Sequence, residues 1–329
     1  MMESPVAIKI FFGFTEIFLR AVPDAAAPPP FNHRARESGD GNGRRMAERT
    51  SLEARIDAAA HGVLARLPQH GLAGAAIEFL VFGLKQAWAC LFGGLLLGLI
   101  MLSAVAWPAQ AGVARYDALF VAALLLQAAM LAFRLEKPSE AVVIFLFHAV
   151  GTGMELFKTH MGSWTYPGEN VLRLAGVPLF SGFMYAAVGS YLARVTRIFD
   201  FRFSNYPPAS ATLLLAVGIY ANFFTHHFLW DLRWLLFAAT ALLFWRCSVH
   251  YKVFRFRHRM NMLLGFFLVA LFIWLAENIA TASHIWLYPN QQAGWQLVSL
   301  GKFTSWYLLM IISFVLVNLV HRPKSFDAA

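Results

Sequence analysis

Apolar blocks, separated by short polar segments, recur along most of the chain. Each block is about 20 residues long, which is the length an α-helix needs to cross a hydrocarbon layer of about 30 Å. The pattern predicts eight membrane-spanning helices, and because some blocks are short or interrupted, seven is the alternative count. The predicted spans are 79–105, 115–134, 140–157, 174–194, 209–227, 232–247, 260–280 and 303–320.

The N-terminal extension, residues 1–70, differs from the transmembrane domain, residues 76–322. Much of the extension is rich in Pro, Gly and charge and too poor in apolar residues to offset the entropy of ordering, which predicts disorder. Near residues 52–67, apolar side chains recur at helical spacing and predict an amphipathic helix on the membrane surface. Because the ordered pattern begins after Met46, that residue is an alternative start to Met1.

Composition agrees with a membrane protein: 59% of the residues are hydrophobic and 14% are charged, against roughly 25% charged in soluble domains. The net charge of +9 does not indicate nucleic acid, because Lys and Arg cluster between apolar blocks, as the positive-inside rule expects. Cys90 and Cys247 lie in or beside apolar blocks without CxxC spacing. Disulfides and thiolate metal sites are therefore not expected.

The distribution of Lys and Arg predicts the orientation. One alternating set of connecting segments carries twelve of them, and the other set carries only five. With eight spans the richer set is cytoplasmic, so both termini lie on the cytoplasmic side of a bacterial inner membrane. Loops 158–173, 226–233 and 281–302 then face outward. The five outward cations are Arg115, Lys158, Arg173, Arg233 and Lys302.

A sequence repeat connects two of the outward loops. Residues 155–167, ELFKTHMGSWTYP, align without a gap on residues 277–289, ENIATASHIWLYP, sharing Glu, Thr, Trp, Tyr and Pro at an offset of 122. The same offset places the first span over the fifth, which predicts two four-helix halves, residues 79–200 and 201–322. Because each half has an even number of spans, the halves are parallel, with a pseudo-two-fold axis along the membrane normal. The predicted fold is an all-α, polytopic membrane helix bundle.

Each repeat carries one glutamate near the outer end of a span, Glu155 or Glu277. An ionisable side chain in a span is costly and generally faces a partner or a wet cavity. Lys158, three residues after Glu155, is a candidate ion-pair partner, so a purely structural ion pair is the alternative for that glutamate. Glu277 has no Lys or Arg within four residues, which makes it the stronger acid/base candidate. His148, on the face of Glu155, is a candidate for relaying a proton, or alternatively a hydrogen-bonded core histidine.

Polar and aromatic residues of the outward loops are candidates for substrate binding. The aromatic ones also suit the Trp and Tyr belt at a membrane interface, so anchoring is the alternative. The substrate-binding candidates are Trp164, Tyr166, Trp286, Tyr288, Asn222, Asn278, Thr159 and Thr281.

Histidines on the outer side are candidates for a Zn or Fe site, with interfacial histidines as the alternative. Their spacing is not diagnostic of any metal, so the cofactor stays undetermined. Motifs of serine hydrolases, ATP-driven pumps and nucleotide oxidoreductases do not occur in the sequence, which disfavours those classes. The metal candidates are His160, His226, His227 and His284.

Three stretches carry a resemblance to a known family: FHAVGTGMELFKTHMGSWTYPGE, GVPLFSGFMYAAVGSYLARV and WLAENIATASHIWLYPNQ. From Glu78 to the C-terminus the chain resembles an uncharacterised family of bacterial integral membrane proteins, the domain of unknown function 817 group. That resemblance implies no particular activity.

A shorter run, GTGMELF to GVPLFSGFMY, is similar to the carotenoid hydratase and small lycopene cyclase membrane families. This similarity implies that an acidic residue protonates an isoprenoid double bond. Where the cyclases have paired acids after the proline, this chain has Leu179 and Phe180. The positions that it keeps are Glu155, Tyr166, Gly176 and Pro178.

The leading hypothesis is an enzyme that uses outward-facing carboxylates for acid/base chemistry on a lipid or isoprenoid, with Trp164 and Trp286 stacking on the substrate. A buried carboxylic acid suits the protonation of an alkene, because desolvation favours its neutral form. One alternative is a proton-coupled transporter, which needs a polar path to the cytoplasm. Another is a structural membrane protein without a small-molecule site, in which Glu155 and Glu277 form closed ion pairs. Membrane lipids are expected partners, and the oligomeric state is open.

Overall fold

A computed structural model describes residues 55, 56, 62, 71–108 and 110–326, which form a helical bundle with two small sheets. The predicted disordered extension and most of the amphipathic helix near 52–67 lie outside the described residues. The helices are α1 Gly71–Ala89, α2 Leu91–Ala106, α3 Arg115–Ala132, α4 Pro138–His160, α5 Ser181–Ile198, α6 Ala209–Thr225, α7 Arg233–Phe244, α8 Met262–Ala282 and α9 Leu300–Val320. The strands are β1 Arg173–Leu174, β2 Val177–Pro178, β3 Arg202–Ser204, β4 Ser248–Lys252 and β5 Arg257–Asn261.

Five of the described helices are long and apolar enough to cross a membrane: α1, α3, α4, α8 and α9. Helices α2, α6 and α7 are apolar but shorter. Helix α5 has 18 residues and carries Arg194 and Arg197 in its last two turns. Every predicted span overlaps at least one of these helices, so the prediction of a mostly helical protein with several candidate membrane-spanning helices is confirmed.

Two predicted spans have different bounds in the structure. The first, 79–105, is interrupted at Cys90, where the helix breaks into α1 and α2. The fourth, 174–194, begins only at Ser181, because the preceding residues form the short β1–β2 pair. The turn of that pair needs positive φ at Ala175 and Gly176 (φ 47° and 83°), a conformation that hydropathy does not detect.

The prediction of an all-α fold is wrong at the β1–β2 pair and, over a longer stretch, at a second sheet. Strands β3, β4 and β5 form an antiparallel sheet in which Phe203 pairs with Val249, and Val249 with Met260. Most of this segment is an Arg-rich stretch whose charge is typical of an ordinary cytoplasmic loop. Val249 is buried, while the adjacent residues His258 and Arg259 of β5 are both exposed. Because adjacent strand residues point to opposite faces, β5 carries basic side chains on both faces and shows no apolar–polar alternation that would predict a strand.

The connections between helices define the two ends of the bundle. The loop end carries the α2–α3, α4–α5, α6–α7 and α8–α9 connections, and the sheet end carries strands β3 to β5 and the residues after α9. Helix α1 packs at the sheet end, where the Glu78 carboxylate accepts hydrogen bonds from the N–H groups of residues 254–256. The Lys85 ammonium donates to the carbonyl of Val253 beside them.

Helices α4 and α5 approach closely because glycines lie at their contact. A Cβ at Gly151 would lie 2.5 Å from the Tyr185 ring, and one at Gly189 would lie 2.7 Å from the Phe147 ring. Small residues of this kind let membrane helices approach closely, so that the backbone of one helix packs against a side chain of the other. The close approach fixes the position of Tyr185 beside the last turns of α4.

Two isolated main-chain bridges connect distant parts of the chain. At the loop end Thr165 and Leu287 exchange both N–H···O bonds, at 2.9 Å each, in antiparallel orientation. At the sheet end Phe203 pairs with Ser325 in parallel orientation. In both bridges the partners are separated by 122 residues, which is the offset of the sequence repeat.

Candidate functional site

Glu155 lies in the last turns of α4 and is almost completely buried, with 3% of its surface exposed. The Trp164 indole N–H and the Tyr166 hydroxyl donate to one carboxylate oxygen, at 2.7 and 2.6 Å. The Tyr185 hydroxyl on α5 donates to the other oxygen at 2.8 Å. All three donors are neutral aromatic side chains, so the hydrogen bonds that the protein gives this carboxylate come from aromatic residues and not from a cation.

Glu277 lies at the equivalent place on α8 and is 4% exposed. The Tyr288 hydroxyl donates to one oxygen at 2.5 Å, and the Trp306 indole N–H on α9 donates to the other at 2.7 Å. Tyr288 follows Glu277 at the same spacing as Tyr166 follows Glu155. Each glutamate is therefore held by a tyrosine from its own loop and by an aromatic donor from the next helix.

The two sets of aromatic donors contact each other where the halves of the chain meet. The rings of Trp164 and Tyr288 pack edge to face with centroids 6.0 Å apart, and those of Tyr185 and Trp306 are 6.2 Å apart. The Thr165–Leu287 bridge lies directly beside the first pair in sequence. Glu155 and Glu277 are close enough that the charge of one acts on the other.

Neither glutamate forms an ion pair within 4.0 Å among the described residues. The expected pair between Glu155 and Lys158 is wrong, because the Lys158 ammonium turns away to His226 and His227. A spacing of three residues along a helix allows such an ion pair, but the buried aromatic donors occupy the carboxylate oxygens instead. The Lys302 ammonium lies over the rings of Trp164 and Tyr288, 5.1 and 4.4 Å from their centroids.

Burial and the nearby carboxylates keep both loop tyrosines protonated. The pKa of Tyr166 is raised well above its usual value by burial and by the charge of Glu155. The pKa of Tyr288 is raised in the same way by burial and by the charge of Glu277. Both hydroxyls therefore stay hydrogen-bond donors at physiological pH. Trp N–H groups can only donate, so the carboxylate oxygens are the acceptors of the site.

The predicted aromatic candidates lie inside the protein. Trp164, Trp286 and Tyr288 are all buried, and Tyr166 is half-buried. An interfacial belt places such rings at headgroup depth in contact with lipid, whereas three of these four donate directly to the glutamates. The geometry therefore favours a role in the site over membrane anchoring.

The other predicted binding residues mainly hold loops in place. Asn222 donates to Asp231 and accepts from the N–H of Leu232, and Asn278 accepts from the N–H of Val298. Thr281 accepts from the Trp295 indole. The buried Thr159 hydroxyl has no hydrogen-bond partner within the described part of the chain.

His148 packs under the site and not on Glu155. Its ring lies 4.6 Å from the Phe183 ring, and its buried Nδ1 has no hydrogen-bond partner among the residues that the structure describes. A Cβ at Gly182 would lie 2.5 Å from Nδ1, so only glycine fits there. A proton relay through His148 stays a prediction.

The four histidines predicted as metal ligands do not come together. His226 and His227 are adjacent, with ring centroids 4.3 Å apart, but His160 ends helix α4, His284 lies in the α8–α9 connection, and both are exposed. In residues 71–108 and 110–326 no group of three His, Cys, Asp or Glu side chains is arranged to hold a metal ion. The four histidines lie on the same side of the protein, but they belong to three separate segments of the chain, so the shared side did not bring them together.

Three residues of the site were not among the sequence candidates: Tyr185, Trp306 and Lys302. Tyr185 and Trp306 lie within apolar spans, where a lone aromatic residue has no distinguishing pattern. Lys302 was counted only as an outward cation. One signal in the sequence could have identified these three residues. Each lies near the loop end of a span that follows a helix carrying one of the two glutamates.

Below the glutamates the two halves pack tightly. A cavity of about 30 Å³ beside Tyr185 and Trp306 has an apolar wall formed by residues such as Val150, Met154 and Ile273. A space of this size holds about one water molecule. The polar chemistry of the site is therefore concentrated toward the loop end.

Comparison with known proteins points to one family. The family described as "Protein of unknown function (DUF817)" matches residues 78–314. The chain is 45% identical over 243 residues to the uncharacterized protein YoaT of Bacillus subtilis (strain 168), covering 74% of this chain and 91% of YoaT. No solved structure matches.

Proposed function

The chain belongs to the DUF817 family of proteins of unknown function, and from its geometry we propose an integral membrane enzyme that performs acid/base chemistry on a lipid or isoprenoid. Glu155 and Glu277 are the proposed acid/base groups. The observation that carries the proposal is the pair of buried carboxylates, each held by a tyrosine and a tryptophan. Among the residues that the structure describes, neither carboxylate has a cation within 4.0 Å.

The proposed architecture is two parallel repeats, α2–α5 and α6–α9. A two-fold axis brings a residue next to its own equivalent only where the chain lies on the axis. The Thr165–Leu287 and Phe203–Ser325 bridges join such equivalents at opposite ends of the bundle. These contacts support an axis that runs along the bundle from one end to the other. The proposed orientation places the loop end outside the cytoplasmic membrane, because it carries fewer Lys and Arg.

The same bridges favour an enzyme over a carrier. A carrier that alternates access opens one end of the bundle while closing the other. Here main-chain hydrogen bonds hold the halves together at both ends, so either opening breaks a bridge. The small cavity below the glutamates has a largely apolar wall, whereas a carrier needs a polar path to the cytoplasm.

The proposed chemistry uses the carboxyl groups as the site that gives or takes a proton. Tyr166 and Tyr288 stay protonated, so they stabilise the carboxylate that remains after a proton has been donated. The second carboxylate nearby stabilises positive charge that develops on the substrate, and the electron-rich faces of the rings do the same. This arrangement suits the protonation of an apolar double bond.

A genetic experiment tests the proposal. A strain without the gene is complemented with the parent chain, Glu155→Gln or Glu277→Gln, and lipids and pigments are profiled by mass spectrometry. Glu169→Gln is the matched control, because Glu169 is an exposed carboxylate outside the site. We expect both site variants to reproduce the profile of the deletion and the control to restore the parent profile. A profile that is the same in the deletion strain and the parent would remove the enzyme hypothesis.

A further inference from the structure

Three cations converge at the loop end, the end that carries fewer cations overall. Lys158 contacts the His226 ring, and His226 and Asp231 share Asn222 as a hydrogen-bond partner. Asp231 forms an ion pair with Arg233 at 3.3 Å, and Arg233 donates to the Gly301 carbonyl beside Lys302. Asp231 also acts on Lys158, and Glu155 and Glu277 act on Lys302. The positive-inside rule explains cations at the opposite end of the bundle but not here. Their convergence at the loop end, close to the glutamates, therefore needs another reason.

Two of these cations lie where helix electrostatics oppose them. Arg233 is the first residue of α7 and Lys302 the third of α9, so both are at the positive end of a helix dipole. The Arg233 guanidinium donates to the Gly301 carbonyl and the Thr304 hydroxyl, at 3.2 and 3.0 Å, and so joins the starts of the two helices. Cations at two joined helix N-termini create a strongly positive place, which is the arrangement that binds anions.

The lysines are held by uncharged groups. Lys158 is 5% exposed, and its ammonium lies 3.3 Å from His226 Nε2 and 2.8 Å from His227 Nε2. His226 Nδ1 donates to the Asn222 carbonyl, so Nε2 is the lone-pair nitrogen and accepts from Lys158. Within the described residues neither Lys158 nor Lys302 has a carboxylate within 4.0 Å. Each ammonium is held in place without a direct ion pair, and carboxylates act on it only at longer range, Asp231 on Lys158 and Glu155 and Glu277 on Lys302.

The surface beside the cations is apolar. Phe228, Leu229 and Trp230 follow the histidine pair and are exposed. Exposed aromatic side chains of this kind insert at the boundary between headgroups and acyl chains. A molecule with a phosphate and an apolar tail satisfies both features at once.

We infer that the loop end binds the phosphate group of an amphipathic molecule between Lys158, Arg233 and Lys302. This inference rests on the proposed function only in taking that molecule as the substrate whose apolar part reaches the glutamates. Lys302 connects the two sites, because its ammonium covers the rings of Trp164 and Tyr288, which donate to Glu155 and Glu277.

Binding measurements on the purified full chain test the inference. Calorimetry in detergent uses inorganic phosphate and pyrophosphate, and mixed micelles carry phosphatidylglycerol or diacylglycerol as lipid probes. We expect saturable binding of a phosphate probe, weakened about tenfold or more by Lys158→Met, Arg233→Gln or Lys302→Met, since each removes a charge-assisted contact. Arg173→Gln is the control, because Arg173 is an exposed outward cation outside the cluster, and it retains parent affinity.

The outcomes separate the inference from the proposed function. Preference for phosphatidylglycerol over diacylglycerol supports a lipid source, and equal binding of free phosphate without lipid supports a soluble one. Glu155→Gln and Glu277→Gln retain binding, so the phosphate site stands even when the lipid profile does not respond to those variants. Lys302→Arg keeps the positive charge, and we expect it to retain binding. This variant keeps the test decisive if the Lys302→Met protein does not fold. The absence of saturable binding to every phosphate probe, or parent affinity in all three cation variants, overturns the inference.

Discussion

Gly151→Ala tests how the helix contact positions the site. The new methyl group would lie 2.5 Å from the Tyr185 ring, too close for any Cβ contact, so α4 and α5 must separate or the ring must move. The Tyr185 hydroxyl is one of the three donors to Glu155. The substitution therefore acts on stability and on the carboxylate together.

The magnitude follows from three contributions. Overpacking a tight core position costs about 1–3 kcal/mol, and displacing the Tyr185 hydroxyl from a charged acceptor costs about 1.5–3 kcal/mol. Alanine gains about 1 kcal/mol over glycine in helix propensity. The expected net destabilisation is about 1.5–5 kcal/mol. In a Tyr185→Phe background the hydrogen-bond part is already lost, so the same substitution costs about 1.5–3 kcal/mol less.

Equilibrium unfolding in mixed detergent and dodecyl sulfate micelles measures these free energies. Gly94→Ala is the matched control, because Gly94 also lies within a helix but its new methyl carbon would meet no neighbouring atom within 4 Å. We expect Gly94→Ala to be at least as stable as the parent. Equal stability of the two alanine variants would refute the argument that the α4–α5 contact positions Tyr185.

Three further predictions concern other parts of the chain. Glu78→Gln weakens the acceptor of three N–H groups, so amide hydrogen exchange at residues 254–256 becomes faster, while unchanged exchange would contradict the docking of α1. Burial and a neighbouring ammonium lower the pKa of His227 from 6.5 to about 4. Its contribution to stability is therefore present above pH 6.5 and lost as the pH falls through 4. Between these pH values the thermal midpoint of His227→Gln falls less than that of the parent protein. Thr165→Cys with Leu287→Cys forms a disulfide, because a hydrogen-bonded antiparallel pair has Cα atoms about 5.5 Å apart. If the two halves do not move apart during function, the cross-linked protein keeps the lipid profile of the parent. If instead the cross-link abolishes complementation and a reductant restores it, the result favours a carrier.

Much of the site was predictable residue by residue but not contact by contact. Glu155, Glu277, Trp164, Tyr166 and Tyr288 were all candidates, because polar and aromatic residues at the ends of apolar spans are distinctive. Their mutual hydrogen bonds were not predictable, since spacing along one helix does not say which side chain turns inward. The pairing of Glu155 with Lys158 failed for that reason.

The sequence by itself determined the helical, membrane-type character of the chain, because 20-residue apolar blocks have few other solutions. It also determined the repeat of Glu, Thr, Trp, Tyr and Pro, whose spacing is a property of the chain alone. Only the tertiary structure decided the partners of the carboxylates, since Tyr185 and Trp306 reach them from neighbouring helices. It likewise decided the sheet at residues 202–261 and the convergence of Lys158, Arg233 and Lys302. Contacts between distant segments depend on helix packing, and local pattern carries no information about packing.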